Sequence, residues 1–295
     1  MIDFIKYRKI YYIISGILVI SSLFSLIFYR LNFGIDFTGG SILTLEFKNG
    51  RPTNQEVENK LANLNLGEIT IQPAGETDLI LRVKYIDEGL HRQLLQKFNG
   101  QAEEKSFDSI GPTIGKELTN KTFVFIALVL LAIIFFITFA FRRASRPVSS
   151  WQYGLVASLV AFLHDVLIPL GAFSLLGKFY NIQVTIPIVV GLLTILGYSV
   201  HDTIVVFDRI RENISRGSGR AFELIVNTSL NQTLVRSINT SLTTLFVLLA
   251  IFFIGGETLR YFSLILILGI ITGTYSSIFI ASPILVSWLK LRKKG

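Results

Sequence analysis

Apolar residues in this chain fall into six runs of about 20 residues or more, each closed by charge or glycine. A helix of that length, rising 1.5 Å per residue, covers the ~30 Å hydrocarbon core of a bilayer. The pattern predicts six transmembrane helices: Ile10–Tyr29, Phe123–Phe141, Gln152–Leu176, Val184–Phe207, about Val235–Ile254, and Tyr261–Trp288. The first run follows Lys6, Arg8 and Lys9, as a signal-peptide core would. It is longer than such a core and no A-x-A site follows, so an uncleaved anchor is expected.

Between the first two runs the period changes from helical to alternating. Ser41–Phe47 reads as a strand, Asn49-Gly50 as a turn, and Thr53 with Glu56 as a capping box opening a helix. Strands near Glu68–Gln72 and Leu79–Lys84, a helix over Glu88–Phe98 and a strand near Glu103–Ile110 complete the order βαββαβ. That order fits a ferredoxin-like sandwich. The fold class expected is therefore an α-helical polytopic membrane protein with a small α+β domain outside the membrane. Its organisation is a first transmembrane helix over 1–30, an extracytoplasmic domain over 31–120, and a five-helix bundle with cytoplasmic loops over 121–295. His91 lies in a polar helix without an evident partner and reads as solvated.

The stretch NFGIDFTGG sets Gly34, Gly39 and Gly40 around Asp36. A phosphate-binding loop would need a following Lys-Ser/Thr and a strand-to-helix setting, and neither is present. A structural junction, using glycine's backbone freedom, is expected.

Composition agrees: 51% of residues are hydrophobic and 16% charged. The net charge of +8 does not point to nucleic acid, because residues 31–120 carry 9 basic and 13 acidic side chains. The positive excess sits in clusters: Lys6, Arg8, Lys9; Arg142, Arg143, Arg146; Arg209, Arg211, Arg216, Arg220; and Lys290, Arg292, Lys293, Lys294. These mark alternate helix ends and place both termini in the cytoplasm. The segment Ser218–Asn231 reads as amphipathic, lying along the lipid surface. There are no cysteines, so neither disulfides nor thiolate metal sites are available. Hydrolase elbows, H-E-x-x-H sites and Walker A loops are also missing, so the reading is of a protein that is not an enzyme and takes no metal or cofactor.

Two acids lie well inside the apolar runs, Asp165 and Asp202. A carboxylate at the centre of a membrane helix costs about 2.5–3.5 kcal/mol on insertion scales, so each needs a partner or a watery path. Asp202 lies six residues from the charged end at Asp208, about 9 Å inward. Arg236, near the start of the next, antiparallel run, lies at similar depth. It reads equally as the ionic partner of Asp202 or as an arginine snorkelling to the headgroups. Thr194, Tyr198 and Asp202 recur every four residues and suggest a polar stripe, or simple packing. In FLHDV, His164 and Asp165 are suited either to passing a proton or to tying two helices together. Gly269, Gly273 and Ser277 form a small-xxx-small face, for use within the bundle or against a partner.

Five ordered motifs, NFGIDFTGG, FDSIGPTIGKEL, FLHDV, GYSVHDTIVVFDRIREN and LNQTLVRSINTSLTTL, resemble those of the SecF family of bacterial protein export and span nearly the whole chain. The resemblance implies half of an RND-type transporter in the bacterial inner membrane, completed by SecD and associated with the SecYEG channel. It implies that the proton-motive force draws preproteins outward after the SecA ATPase has acted. On matching positions it makes Asp202 the proton carrier and Arg236 its basic partner, with His201 where many members have Asn. The expected partners are SecD, SecYEG, preprotein substrates and membrane lipids. The alternative is an RND-like proton-coupled exporter of small molecules or lipids.

Overall fold

The computed structural model describes residues 2–48, 50–142, 149–216 and 220–292. Asn49, Arg143, Arg146, Ser218, Lys293 and Lys294 lie outside that set. Among the described residues, six helices are long and apolar enough to cross a membrane. The first is α1 (Arg8–Tyr29), followed by the short α2 (Ile35–Thr38) in the glycine-rich stretch. After the α+β unit come α5 (Pro112–Ala140) and a third span built as α6 (Ser150–Val160), a π-turn (Ala161–Val166) and α7 (Leu167–Tyr180). The fourth is α8 (Ile186–Arg216) and the fifth α9 (Phe222–Ile254). The sixth is α10 (Glu257–Ser276), a second π-turn (Ser277–Ala281) and α11 (Ser282–Arg292).

Helix type and number agree with the hydrophobic pattern, but three helices outrun their apolar runs. α5 starts 11 residues before Phe123, and α8 continues past Phe207 to Arg216 through charged turns. Of the stretch expected to lie on the lipid surface, residues 222–231 form the opening of α9. Its apolar side buries Ile225, Val226 and Leu230, while the amides of Asn227 and Asn231 bind the backbone of Ile2 and Phe4. The buried side of that opening thus holds the N-terminal segment.

The chain divides into two compact units, Phe33–Phe123 and Met1–Asn32 with Val124–Gly295, the division falling within α5. In the helical unit the sixth span is the most enclosed, with 67% of its apolar window buried, against 6% for α5. Close approach comes from glycine. A Cβ on Gly269 would collide with the Ile195 side chain, and one on Gly273 would come 3.0 Å from Ser199 Cβ. The small-residue face of the sixth span is thus used inside the bundle, against α8.

In the other unit β1 (Gly40–Phe47), α3 (Asn54–Leu61), β2 (Thr70–Ala74), β3 (Asp78–Val83), α4 (Glu88–Lys97) and β4 (Ala102–Ile110) follow the expected order. The sheet order β2-β3-β1-β4, all antiparallel, is ferredoxin-like. Alternate residues Leu43, Leu45 and Phe47 of β1 and Leu79, Leu81 and Val83 of β3 bury against Val57, Leu61, Leu94 and Phe98 of the helices. Thr53 and Glu56 form the reciprocal capping box of α3. At the glycine-rich stretch, Gly34 caps α2, whose first turn holds the half-buried Asp36. Gly39 (φ +72°) and Gly40 (φ +134°) then turn the chain into β1. A Cβ on either would stand 2.9 Å from backbone, at Pro112 and Val83 respectively.

His91 is not solvated. It is 7% exposed, stacks on Phe107 with ring centroids 3.7 Å apart, and places Nε2 3.1 Å from Glu104. Its polar helical neighbours concealed this, because the partners lie on β4, across the sheet.

A bulge between Thr44 and Leu45 frees Lys105 from the ladder, and its ammonium reaches Asp78 at 2.8 Å and Glu46 at 3.3 Å. The Lys105 hydrogen bond holds the Asp78 carboxyl below its usual range. A depressed folded pKa gives stability that is present above the unfolded value and lost as pH falls below about 4. Urea titration of the 33–123 unit should therefore show Lys105→Met slightly destabilising at pH 7, with the difference shrinking as pH falls through the Asp78 titration.

Candidate functional site

The two acids inside the apolar runs occupy different hydrogen-bonding environments. Asp165 is fully buried, in the π-turn of the third span. Its Oδ1 lies 2.7 Å from His164 Nδ1, and its Oδ2 accepts from Ser276 at 2.7 Å and from Ser199. Nε2 of the same histidine lies 3.1 Å from Ser15 of α1, and the Tyr275 ring stacks on the imidazole. One carboxylate therefore links the first, third, fourth and sixth spans. The Asp-His-Ser order matches that of a serine hydrolase, but Ser15 lies in the middle of α1, where the backbone N–H groups are committed to the helix and none is free to stabilise an oxyanion.

Asp202 is 6% exposed and accepts from Ser277 at 3.1 Å. The Ser237 hydroxyl is buried beside it and faces the same carboxyl. Helical spacing explains how Asp202 reaches this position. Ile195, Ser199 and Asp202 stay on one face of α8, and they meet Gly269, Gly273 and Ser277 in turn. The third small residue of that face is thus the hydrogen-bond donor to the acid.

The structure brings His164 and Asp165 into contact, but it does not bring Arg236 or His201 onto Asp202. Both are exposed, and among the described residues no ion pair joins Asp202 to Arg236. They remain within electrostatic reach of the acid. The inward stripe of α9 is Ser229, Thr233, Ser237 and Ser241, and Arg236 lies about 100° around the helix from Ser237. Depth along the axis was inferable from length, whereas rotation about it was not. The stripe Thr194, Tyr198, Asp202 also drifts, because each four-residue step advances about 40°. Thr194 is exposed and bonds the Val190 carbonyl, Tyr198 reaches Ser241 at 3.4 Å, and of the three only Asp202 is buried.

Sequence reasoning missed Ser15, Ser199, Ser276 and the donor role of Ser277. Serines at four-residue spacing in α9, and the paired Ser276-Ser277 ending the small-residue face, were the available signal. Both π-turns adjoin the acids, as such turns often adjoin functional groups.

Residues 91–291 match the family model of the protein export membrane protein SecD/SecF, C-terminal, and residues 24–50 match the SecD/SecF GG motif. The protein translocase subunit SecF of Thermobaculum terrenum is 43% identical, over 98% of this chain and 94% of its own. That of Anaerolinea thermophila is 38% identical, with the same coverage. The crystal structure of SecDF, a translocon-associated membrane protein from Thermus thermophilus, superposes with a TM-score of 0.85 at 31% identity. The match covers 98% of this chain and 39% of that one, so the present chain spans about two-fifths of the SecDF chain. A SecDF structure in a super-membrane-facing form gives a TM-score of 0.71 at 31% identity. The six spans and the ferredoxin-like insert thus define an RND-like half-transporter, a multi-pass membrane component of transport. Within that class, the chain belongs to the SecF family of protein translocase subunits.

Proposed function

We propose that this subunit works with a SecD half in the bacterial inner membrane, drawing on the proton-motive force to complete preprotein export through SecYEG after the SecA ATPase step. The observation that carries the reading is Asp202: a carboxyl buried in an apolar bundle, bonded to the Ser277 hydroxyl with that of Ser237 beside it, on the face where α8 meets the sixth span. Such a group has reason to gain and lose a proton as the surrounding helices repack. A proton moving down the membrane potential supplies about 2.3 kcal/mol per 100 mV. In this scheme Asp202 carries the proton, and Arg236 and His201 act on it through space. His164 and Asp165 form the second, more firmly bonded station.

The 33–123 unit is assigned to the extracytoplasmic side, both termini to the cytoplasm, and the exposed apolar faces of α1, α5 and α9 to lipid and the SecD half. Gly34, Asp36, Gly39 and Gly40 serve as a structural junction that turns the chain into β1. The chain has no native cysteine, so a single introduced one reports its own side of the membrane. Asn99→Cys should react with an impermeant maleimide from outside intact cells, and Ser215→Cys only after lysis; the reverse result would invert the topology.

The energetic claim is tested by preprotein translocation in vesicles carrying this chain, SecD and SecYEG. A protonophore should remove the late, ATP-independent phase, and vesicles lacking this chain should show no such phase. Protonophore-insensitive late translocation would contradict the proposal.

A further inference from the structure

The sixth span meets both acids through consecutive side chains. Tyr275 stacks on His164 and donates to the Tyr11 carbonyl at 3.3 Å, Ser276 donates to Asp165, and Ser277 donates to Asp202. The second π-turn begins at Ser277, and the Ser282 hydroxyl reaches back to the Ser277 carbonyl at 3.5 Å. Each of the two serines has a second acceptor. Ser276 Oγ is 3.1 Å from the Gly273 carbonyl, and Ser277 Oγ is 3.0 Å from the Thr274 carbonyl. A hydroxyl has one hydrogen to donate, so it serves either the carboxylate or the carbonyl.

We propose that Ser276 and Ser277 are positioning residues that couple the protonation of Asp202 to Asp165 and to the register of the sixth span. The inference rests on the proton-carrying reading of Asp202. With Asp202 ionised, Ser277 donates to it. With Asp202 protonated, the carboxylic O–H donates to Ser277 Oγ, and the serine hydrogen turns to the Thr274 carbonyl. No covalent bond changes apart from the proton gained. The reversal alters backbone bonding at the first residue of a π-turn, where a helix holds one residue in excess and a shift of register needs little rearrangement. Ser276, one residue earlier, carries that shift to the Asp165 cluster.

The titratable groups that face this stretch are His164 and Asp165 from the third span, Asp202 from α8 and Tyr11 from α1. His201 and Arg236 act on it from exposed positions on α8 and α9. None of them offers Asp202 a hydrogen bond, so Ser277 is its contact with the sixth span.

The test uses the full chain with SecD and SecYEG in vesicles, and reads the infrared C=O stretch of the protonated carboxyl during a pH titration together with proton flux and translocation. The Asp202 band is identified by its loss in Asp202→Asn. In Ser277→Ala that band should shift, its pH midpoint should move by about one unit, the value of one hydrogen bond to a charged group, and flux should fall about tenfold. Ser277→Thr, which keeps the hydroxyl, should recover the wild-type midpoint. In Ser276→Ala translocation should fall more steeply than flux, the mark of uncoupling. Ser277→Ala with wild-type band, midpoint and flux would overturn the coupling role while leaving the proton reading intact. A variant that merely accumulates poorly, yet titrates like wild type molecule for molecule, would overturn it too. Unchanged flux in Asp202→Asn would remove the proton reading and the inference together.

Discussion

Asp202→Asn is expected to abolish the proton-driven phase of preprotein translocation, lowering the overall rate at least about tenfold while ATP-driven entry of the preprotein continues. Asparagine keeps the size and can still accept from Ser277, so the bundle should assemble. What it lacks is a proton to exchange, and with it the ~2.3 kcal/mol per 100 mV that each transferred charge supplies. Asp165→Asn should behave differently. Three donors converge on that carboxylate, and an amide presents its own N–H groups to at least one of them. A buried polar group left without its hydrogen bond costs about 1–3 kcal/mol, so the expected result is less folded protein rather than a folded, uncoupled subunit. Translocation assays normalised to the amount of assembled chain separate the two outcomes.

Gly269→Leu is expected to prevent the sixth span from seating on α8. A single added Cβ already overlaps Ile195, and the rest of a leucine has no space to enter. Overpacking of a close interface costs about 1–3 kcal/mol, and more where backbone must separate. The consequence should reach the site, because the same face carries Gly273 opposite Ser199 and Ser277 opposite Asp202. Thermal unfolding of the detergent-purified chain should show a marked drop in midpoint, and Ile195→Ala in the same chain should recover part of it. Additive effects of the two substitutions would show that the contact does not govern the interface.

The elements were legible where local physics determines them. Twenty-residue apolar runs have few alternatives to a membrane helix, and the alternation of Leu43, Leu45 and Phe47 with polar neighbours marks a strand with one buried face. The capping box at Thr53 could be read directly from two residues three apart. Helix ends were harder, because polar turns of α5, α8 and α9 continue the backbone ladder beyond the apolar run, and nothing in hydropathy marks where that ladder stops.

The site was legible in its acids and less so in their partners. Asp165 and Asp202 stand out because a carboxylate among apolar residues is expensive, and His164 lies next to Asp165 in sequence. Ser199, Ser276 and Ser277 come from distant parts of the chain, and a serine in a membrane helix carries no comparable penalty to mark it. Arg236 shows the same difficulty from the other side. Its depth matched Asp202, but the face it occupies depends on how α9 is rotated, which neighbouring helices set through Ser237 and Ser241. His91 was misread for a related reason: Phe107 and Glu104, which enclose it, belong to a strand that its own helix does not reveal.

Proton flux into sealed vesicles holding this chain, SecD and SecYEG, driven by an imposed potential and read with a pH-sensitive dye, is the most direct measurement. Wild-type vesicles should acidify in step with translocation, and Asp202→Asn vesicles should match protein-free ones. Flux of equal size through the two proteins would show that the buried carboxyl on α8 carries no protons.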